Sequence, residues 1–185
     1  MSTRQSPGNA TRHLNIGDII VTKNEEEIVW SVLGSCISVI LYVPNQISIL
    51  CHAQMPSRNE VGAKCFDSCP HPCFNDLPEA QDSKYVKCSV EFMIEQLYKN
   101  NGNISALNTT LIGGASIISQ KGIGNSIGEL NIKTAKDILE NQHIRINREL
   151  IGGSKGYTLW YYTKNDRLFV RKHSEEEPSE LLNNR

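Results

Sequence analysis

The sequence predicts an α+β fold, with a mixed or antiparallel β-sheet core and two long helices packed on the outside. Strand-like segments occur in groups rather than alternating strictly with helices, which favours α+β over a regular βαβ succession. Two segments repeat apolar residues at three- and four-residue steps, as amphipathic helices do. The chain has 185 residues, of which 39% are hydrophobic and 21% charged, and this is ordinary for one globular domain.

The first part of the chain predicts a disordered lead over residues 1–13, followed by a group of strands. The lead is polar and contains Pro7 and Gly8, whereas apolar and β-branched residues typical of strands become frequent from Leu14 onward. The predicted strands cover residues 16–21, 28–33, 37–43 and 47–51. Residues 44–46 read Pro-Asn-Gln, a turn that joins the last two strands as a hairpin.

The middle of the chain predicts both helices. A loop over residues 56–83, rich in cysteine and proline, has no period of its own and leads into a helix over residues 84–99. The inward face of this helix consists of Val86, Val90, Met93, Ile94 and Leu97. A strand over residues 109–112 runs into a Gly-Gly-Ala-Ser turn, and a second helix spans residues 126–141. Its predicted inward residues are Ile127, Leu130, Ala135, Ile138 and Leu139.

The last part of the chain completes the predicted sheet system. Strands are expected over residues 143–151, 157–163 and 167–172, and an acidic tail over residues 173–185 is expected to be flexible. About seven strands and two long helices therefore make up one domain over residues 14–172, interrupted by the 56–83 loop.

Composition and charge exclude several classes of function. The formal net charge is −1 and the basic residues are scattered, which argues against a nucleic-acid partner. No apolar run approaches the length that spans a bilayer, and the N-terminal residues lack the apolar core of a secretory signal, so we expect a cytoplasmic protein with no membrane insertion. In that compartment the six cysteines are expected to be thiols, metal ligands or a nucleophile rather than disulfides.

Cys36 is the candidate nucleophile because it follows a turn of small residues between two predicted strands. Gly34 and Ser35 form that turn, which would expose the thiol and direct backbone N–H groups towards the oxyanion of a tetrahedral intermediate. The hairpin places His52 beside Cys36, where an imidazole can stabilise a thiolate and protonate a leaving amine. An inert buried thiol and a structural histidine are the alternatives that the local sequence leaves open.

Several motifs in order along the chain resemble the chemoreceptor glutamine deamidase family, known as CheD. The matching motifs cover residues 16–172 and are Leu33-Gly34-Ser35-Cys36, His52 with Pro56, Lys84-Tyr85-Val86, Gly113-Gly114-Ala115-Ser116, Ile127-Gly128-Glu129-Leu130-Asn131, Gly152-Gly153 and Val170-Arg171-Lys172. The resemblance implies a cysteine-hydrolase-like α/β sandwich that needs no cofactor. It also implies a substrate groove near the Gly-Gly-Ala-Ser turn, at Gly113, Gly114, Ala115 and Ser116.

The resemblance further implies a reaction and its partners. Cys36 would attack a glutamine side chain on the cytoplasmic helices of methyl-accepting chemotaxis receptors, form a thioester and release glutamate, with His52 as the base. The family's third active-site residue is a threonine just before the turn, which orients the histidine. Here Ser31 is the nearest hydroxyl, with Trp30 as the alternative occupant of that position. A CheC-type chemotaxis phosphatase is the second implied partner.

Two alternative functions come from departures from the family pattern. The absent threonine, and Tyr157 where the family usually has an arginine, favour a non-catalytic module of the same fold that binds receptors or the phosphatase. The 56–83 loop adds Cys65, Cys69, Cys73 and His71, which could hold a metal or sense redox state. Their spacing differs from a zinc ribbon, so a loop without metal is the leading interpretation.

Overall fold

Two β-sheets and two helices form the part of the chain that the computed structural model describes, residues 10–57, 83–116 and 125–183. The strands of these residues are β1 (Ala10–His13), β2 (Ile19–Thr22), β3 (Glu27–Leu33), β4 (Ile37–Val43), β5 (Ile47–Cys51), β6 (Asn108–Gly113), β7 (Arg148–Ile151), β8 (Tyr157–Tyr162), β9 (Arg167–Lys172) and β10 (Ser179–Glu180). The helices are α1 (Val86–Lys99) and α2 (Ile127–Asn141), with a short 3-10 turn over Ile104–Ala106. This combination confirms the predicted α+β class.

Each sheet has five strands and mixes parallel with antiparallel pairing. The first sheet has the order β1-β3-β8-β9-β10, and the second has the order β2-β5-β4-β6-β7. Only the β1–β3 and β6–β7 pairs of the described strands are parallel. Strand β3 belongs to the first sheet and β4 to the second, so the chain crosses between sheets at residues 34–36.

The molecule is layered because the second sheet is covered on both faces. Alternate residues of β4 and β5 point in opposite directions, which is the ordinary geometry of a strand. One face, which includes Ile40 and Leu50, packs against Val29 and Leu159 of the first sheet. The other face packs against α1 and α2. All residues of β4 and β5 are therefore buried, as expected for central strands enclosed on two sides.

Helix α1 buries the face that its sequence periodicity predicts. Its five predicted inward residues are all buried against the second sheet: Val86, Val90, Met93, Ile94 and Leu97. The helix ends at Lys99, where Asn101 adopts a positive φ of 53° and the Gly102 amide bonds to the Leu97 carbonyl at 2.9 Å.

Helix α2 begins with a capping box and buries a face that matches the predicted one only in part. The Ser126 hydroxyl accepts from the Glu129 amide, and the Glu129 carboxylate accepts from the Ser126 amide. Its buried residues are Gly128, Asn131, Ala135 and Leu139. Ile138 is partly buried and packs against this core as predicted, whereas Ile127 and Leu130 are partly buried and belong to neither core cluster, so the prediction for these two was wrong. Gly128 has to face inward because its backbone approaches that of Gly114 too closely for a side chain at either position.

Other predictions differ from the structure at the ends of elements. Strand β2 begins at Ile19 instead of at residue 16, because residues 16–17 form a turn. Residues 10–13, expected to be disordered, form β1 by parallel pairing with β3. Strand β7 is shorter than predicted, because His143 has a φ of +56° and residues 144–147 are not in a strand. Strand β10 lies within the tail that was expected to be flexible and pairs with β9. Both β1 and β10 are short edge strands held mainly by non-local backbone bonds, which local patterns do not reveal.

Candidate active site

The turn that carries Cys36 is hydrogen-bonded to the Gly-Gly-Ala-Ser segment that follows β6. The Gly114 amide donates to the Cys36 carbonyl at 2.8 Å, and the Ala115 amide donates to the Gly34 carbonyl at 2.9 Å. Gly113 has a φ of +107°, and a Cβ at this position would lie 2.3 Å from the Cys36 carbonyl oxygen. Only glycine allows this close approach, so the segment acts as a support beneath the Cys36 turn.

The Cys36 thiol lies at the interface of the two sheets with 9% of the residue exposed, so the expectation that the turn exposes it was wrong. Burial raises the pKa of this thiol above its ordinary value of 9.0. The backbone amides of Cys36 and Gly34 lower the same pKa, because they are oriented towards the sulfur. Two N–H donors therefore lie close to the sulfur of Cys36.

His52 lies on the same face of the second sheet as Cys36, one register step away. Ile37 and Ala53 exchange two backbone hydrogen bonds of 2.9 Å, which continue the antiparallel pairing of β4 and β5. Ser38 is therefore opposite His52, and Cys36 is its diagonal neighbour on that face. Diagonal neighbours have Cβ atoms roughly 7–8 Å apart, within reach of long side chains. The hairpin brings the two predicted residues together as expected.

Ser31 and the Leu14 carbonyl fix the tautomer of His52. The Ser31 hydroxyl donates to the Leu14 carbonyl at 2.7 Å, and Nδ1 of His52 lies 3.0 Å from the same hydroxyl and 3.1 Å from the same carbonyl. Since the only proton of the hydroxyl goes to Leu14, both groups facing Nδ1 are acceptors. Nδ1 therefore carries the imidazole proton, and Nε2 presents a lone pair.

The orientation of β3 decides between Ser31 and Trp30 as the neighbour of His52. Ser31 points inward with no exposed surface, whereas Trp30 lies on the opposite face of the strand and packs against the His13 ring at 4.2 Å between centroids. Ser31 is therefore the hydroxyl that contacts the imidazole.

At rest the two reactive groups are a neutral thiol and a neutral imidazole. Burial lowers the pKa of His52 below its ordinary value of 6.5; the Leu14 carbonyl and Asp18 oppose this shift, and the charge of His13 adds to it. Nε2 is buried and has no hydrogen-bond partner among the described residues, so no hydrogen bond joins it to the thiol. Catalytic contacts are often long in the absence of substrate and tighten when it binds.

Asn131 belongs to the site although sequence reasoning gave it no role. This residue of α2 is fully buried, and its Nδ2 donates to the Ser35 carbonyl at 2.8 Å and to the Gln54 carbonyl at 2.9 Å. The amide thereby joins the turn before Cys36 to the segment after His52. Two features of the sequence could have indicated this role: Asn131 lies beside the predicted apolar face of the helix, and it is the last residue of one of the family motifs.

The remaining residues singled out in the sequence are Ser116, Tyr157 and the cysteine cluster of the 56–83 loop. Ser116 donates its amide to the Gly153 carbonyl at 2.8 Å, and the Tyr157 hydroxyl donates to the Gly152 carbonyl at 2.9 Å. The cluster of Cys65, Cys69, Cys73 and His71 lies outside the described residues. Within the described residues, no group of His, Cys, Asp or Glu is arranged to hold a metal ion, and no helix is long and apolar enough to cross a membrane.

Comparison with known proteins relates this chain to one family. A family model described as CheD chemotactic sensory transduction matches residues 70–172, more than half of the chain, beginning after Cys36 and His52. The chemoreceptor glutamine deamidase CheD of Thermotoga maritima is 28% identical over 169 residues, which are 91% of this chain and 96% of the relative. The probable chemoreceptor glutamine deamidase CheD of Desulforamulus reducens is 29% identical over 168 residues, 89% and 92% of the two chains.

Proposed function

The chain belongs to the CheD chemotactic sensory transduction family, and we propose that it deamidates glutamine side chains of chemotaxis receptors with Cys36 as nucleophile and His52 as base. The observation that carries the proposal is the fixed tautomer of His52: its Nε2, which bonds to none of the described residues, carries a lone pair on the face that also carries the Cys36 thiol. The names of the relatives, which identify chemoreceptor glutamine deamidases, support the choice of substrate.

The first half of the proposed reaction forms a thioester. Nε2 of His52 accepts the thiol proton as the Cys36 sulfur bonds to the carboxamide carbon, and the carbonyl electron pair moves to oxygen. The backbone amides of Gly34 and Cys36 donate to this oxyanion. When the carbonyl re-forms, the carbon–nitrogen bond breaks, and the leaving nitrogen takes the proton from His52 to depart as ammonia.

The second half of the reaction returns the thiol. A water molecule gives its proton to Nε2 as its oxygen bonds to the thioester carbon, and the same two amides stabilise the second oxyanion. The carbon–sulfur bond then breaks, the thiol recovers the proton from His52, and the product is glutamate. Ser31 and the Leu14 carbonyl stabilise the imidazolium in both halves, because each accepts from the Nδ1 proton.

Mass spectrometry of receptor cytoplasmic fragments incubated with the protein tests this proposal. Wild type should convert specific glutamines to glutamate with incorporation of oxygen from labelled water, while Cys36→Ala should not. Added hydroxylamine should divert part of the product to the hydroxamate if a thioester forms. Cys51→Ala is the matched control, since this second buried thiol has a pKa raised to about 12 by burial and lies on the helix-facing side of the sheet.

A non-catalytic binding module is the second candidate function. The raised pKa of the Cys36 thiol and the lack of a bond between Nε2 and that thiol among the described residues are the observations in its favour. Receptor fragments that bind wild type and Cys36→Ala equally, with no glutamine converted, would establish this module instead.

The family resemblance also supports a place of action and a second partner. Receptor helices of this type are cytoplasmic, so we place the activity in the cytoplasm. A CheC-type phosphatase is proposed to bind near the Cys36 turn and compete with the receptor. Titration of the phosphatase into the deamidation assay should then raise the apparent KM for the receptor fragment without changing kcat.

A further inference from the structure

Each of the three consecutive carbonyls around the nucleophile is held by a donor. Backbone amides hold two of them, the Gly34 carbonyl by Ala115 and the Cys36 carbonyl by Gly114. The Ser35 carbonyl, between them, accepts from a side chain instead, the Nδ2 of Asn131 at 2.8 Å. This central bond is therefore the one that a substitution can remove while the backbone remains unchanged.

The Ser35 carbonyl controls the direction of the Cys36 N–H because both belong to one peptide unit. A trans peptide is planar, and its C=O and N–H point in opposite directions. When Asn131 draws the Ser35 oxygen towards α2, the Cys36 N–H has to point to the other side of the turn, where the thiol lies. Without this bond, the peptide is free to rotate about its flanking dihedrals.

The buried side chain of Asn131 connects the two chain segments that carry the reactive residues. Both Nδ2 protons bond to carbonyls, the second to that of Gln54 at 2.9 Å, yet Oδ1 is buried with no partner among the described residues. Burial of the unpaired Oδ1 is unfavourable, so the favourable part of this side chain's contribution comes from its two bonds to backbone carbonyls. The two bonded carbonyls belong to the residue before Cys36 and to the second residue after His52.

We propose that Asn131 is a positioning residue which, through the Ser35–Cys36 peptide, aims the Cys36 N–H at the oxyanion of the tetrahedral intermediate. This inference rests on the proposed deamidase function. Because the bond from this donor to the substrate oxygen is strongest when negative charge develops there, its loss should lower kcat and kcat/KM together and leave KM nearly unchanged.

The test compares two reactions of Cys36 in Asn131→Leu, in which the new side chain has a similar branched shape but no donor. Receptor deamidation passes through an oxyanion, and its kcat should fall on the order of 10²-fold. Alkylation of Cys36 by iodoacetamide is a displacement at saturated carbon with no oxyanion, so it should lose only the support that the Cys36 N–H gives to the thiolate and fall far less than deamidation. Asn131→Ala provides the same comparison if the leucine variant does not fold.

Leu139→Ala is the matched control, because Leu139 lies on the same buried face of α2, eight residues beyond Asn131, and packs in the core between the helices and the second sheet. It should destabilise the fold but retain the wild-type kcat. Wild-type kcat in both Asn131 variants would overturn the inference, as would equal losses in deamidation and alkylation, which indicate a general disturbance of the site. Absence of deamidation by the wild type would overturn the proposed function, and this inference with it.

Discussion

Nδ1 of His52 lies 3.0 Å from the Ser31 hydroxyl, which itself donates a hydrogen bond to the carbonyl of Leu14. This arrangement differs from a triad with a carboxylate, because the groups that orient the imidazole are a neutral hydroxyl and a backbone carbonyl. The carbonyl itself lies 3.1 Å from Nδ1 and does not depend on any side chain. Two acceptors, the Ser31 hydroxyl and the Leu14 carbonyl, therefore orient the imidazole of His52.

Replacement of Ser31 by alanine should weaken the activity without abolishing it. The Leu14 carbonyl still accepts the Nδ1 proton, so the loss should be that of one neutral hydrogen bond, about tenfold in kcat/KM. Ser31→Thr should keep the wild-type rate because it retains the hydroxyl. Steady-state deamidation kinetics measure both variants.

Ser38→Ala provides the control for this series. Ser38 is buried directly opposite His52, but its hydroxyl has no hydrogen-bond partner among the described residues. Its removal should leave kcat/KM unchanged. Equal losses in Ser31→Ala and Ser38→Ala would show that the loss of a buried hydroxyl, rather than the bond to Nδ1, is responsible.

The pH profile should follow the lowered pKa of His52 and the raised pKa of Cys36. The reactive base is neutral His52, so kcat/KM should fall on the acid side with an apparent pKa below 6.5 and stay flat through neutral pH. Direct ionisation of Cys36 requires pH above 9.0, so the alkylation rate should rise further in that range. An acid limb centred above pH 7, or thiol reactivity already maximal at neutral pH, would contradict a neutral resting pair.

Gly113→Ala should impair the site more than the same change at Gly152. Both glycines have positive φ, +107° and +73°, so each substitution costs about 1–2 kcal/mol of backbone strain. A Cβ at Gly113 also meets the Cys36 carbonyl at 2.3 Å, whereas one at Gly152 has no neighbour within 4 Å. Deamidation kinetics and thermal unfolding should show lost activity for Gly113→Ala and only lost stability for Gly152→Ala. Similar activities in the two variants would exclude the support role of Gly113.

Local sequence patterns correctly predicted those elements that are determined by the residues of the element itself. The hairpin of β4 and β5 was predicted with its observed bounds, because two β-branched runs flank a Pro-Asn-Gln turn. Its register then brought His52 next to Cys36. The structure also decided between Ser31 and Trp30, which the sequence left open, because only the pairing of β3 within the first sheet fixes which face is inward.

Features that depend on distant contacts could not be predicted from those patterns. The first turn of α2 is oriented by the contact of Gly128 with Gly114, so Gly128 and Asn131 face inward there, whereas Ala135 and Leu139 follow the apolar periodicity. Strand β1 forms because its backbone pairs in parallel with the edge of β3. In both cases the deciding atoms are backbone atoms of a segment far away in sequence.

The buried pair of Arg148 and Asp166 should be essential for stability, although it links the sheets away from the predicted catalytic residues. Arg148 donates to the Asp166 carboxylate at 2.5 Å and to the Thr110 hydroxyl at 2.8 Å, and both charged side chains are less than a tenth exposed. Arg148→Met leaves the carboxylate buried without its partner and should cost about 3–5 kcal/mol in urea unfolding. Asp137→Asn, which removes the exposed pair with Lys133, should cost at most about 0.5 kcal/mol.

The pH dependence of the Arg148→Met variant separates a lost charge pair from lost packing. Burial already raises the pKa of Asp166 above 3.8, and Arg148 opposes that shift, so its removal should raise the pKa further. A folded-state pKa above the unfolded value means that the variant is most stable at low pH and loses stability as pH rises through the folded pKa. The double variant Arg148→Met/Asp166→Asn should therefore recover most of the stability at neutral pH and lose this pH dependence. A double variant as unstable as the single one would assign the cost to packing of the arginine side chain instead.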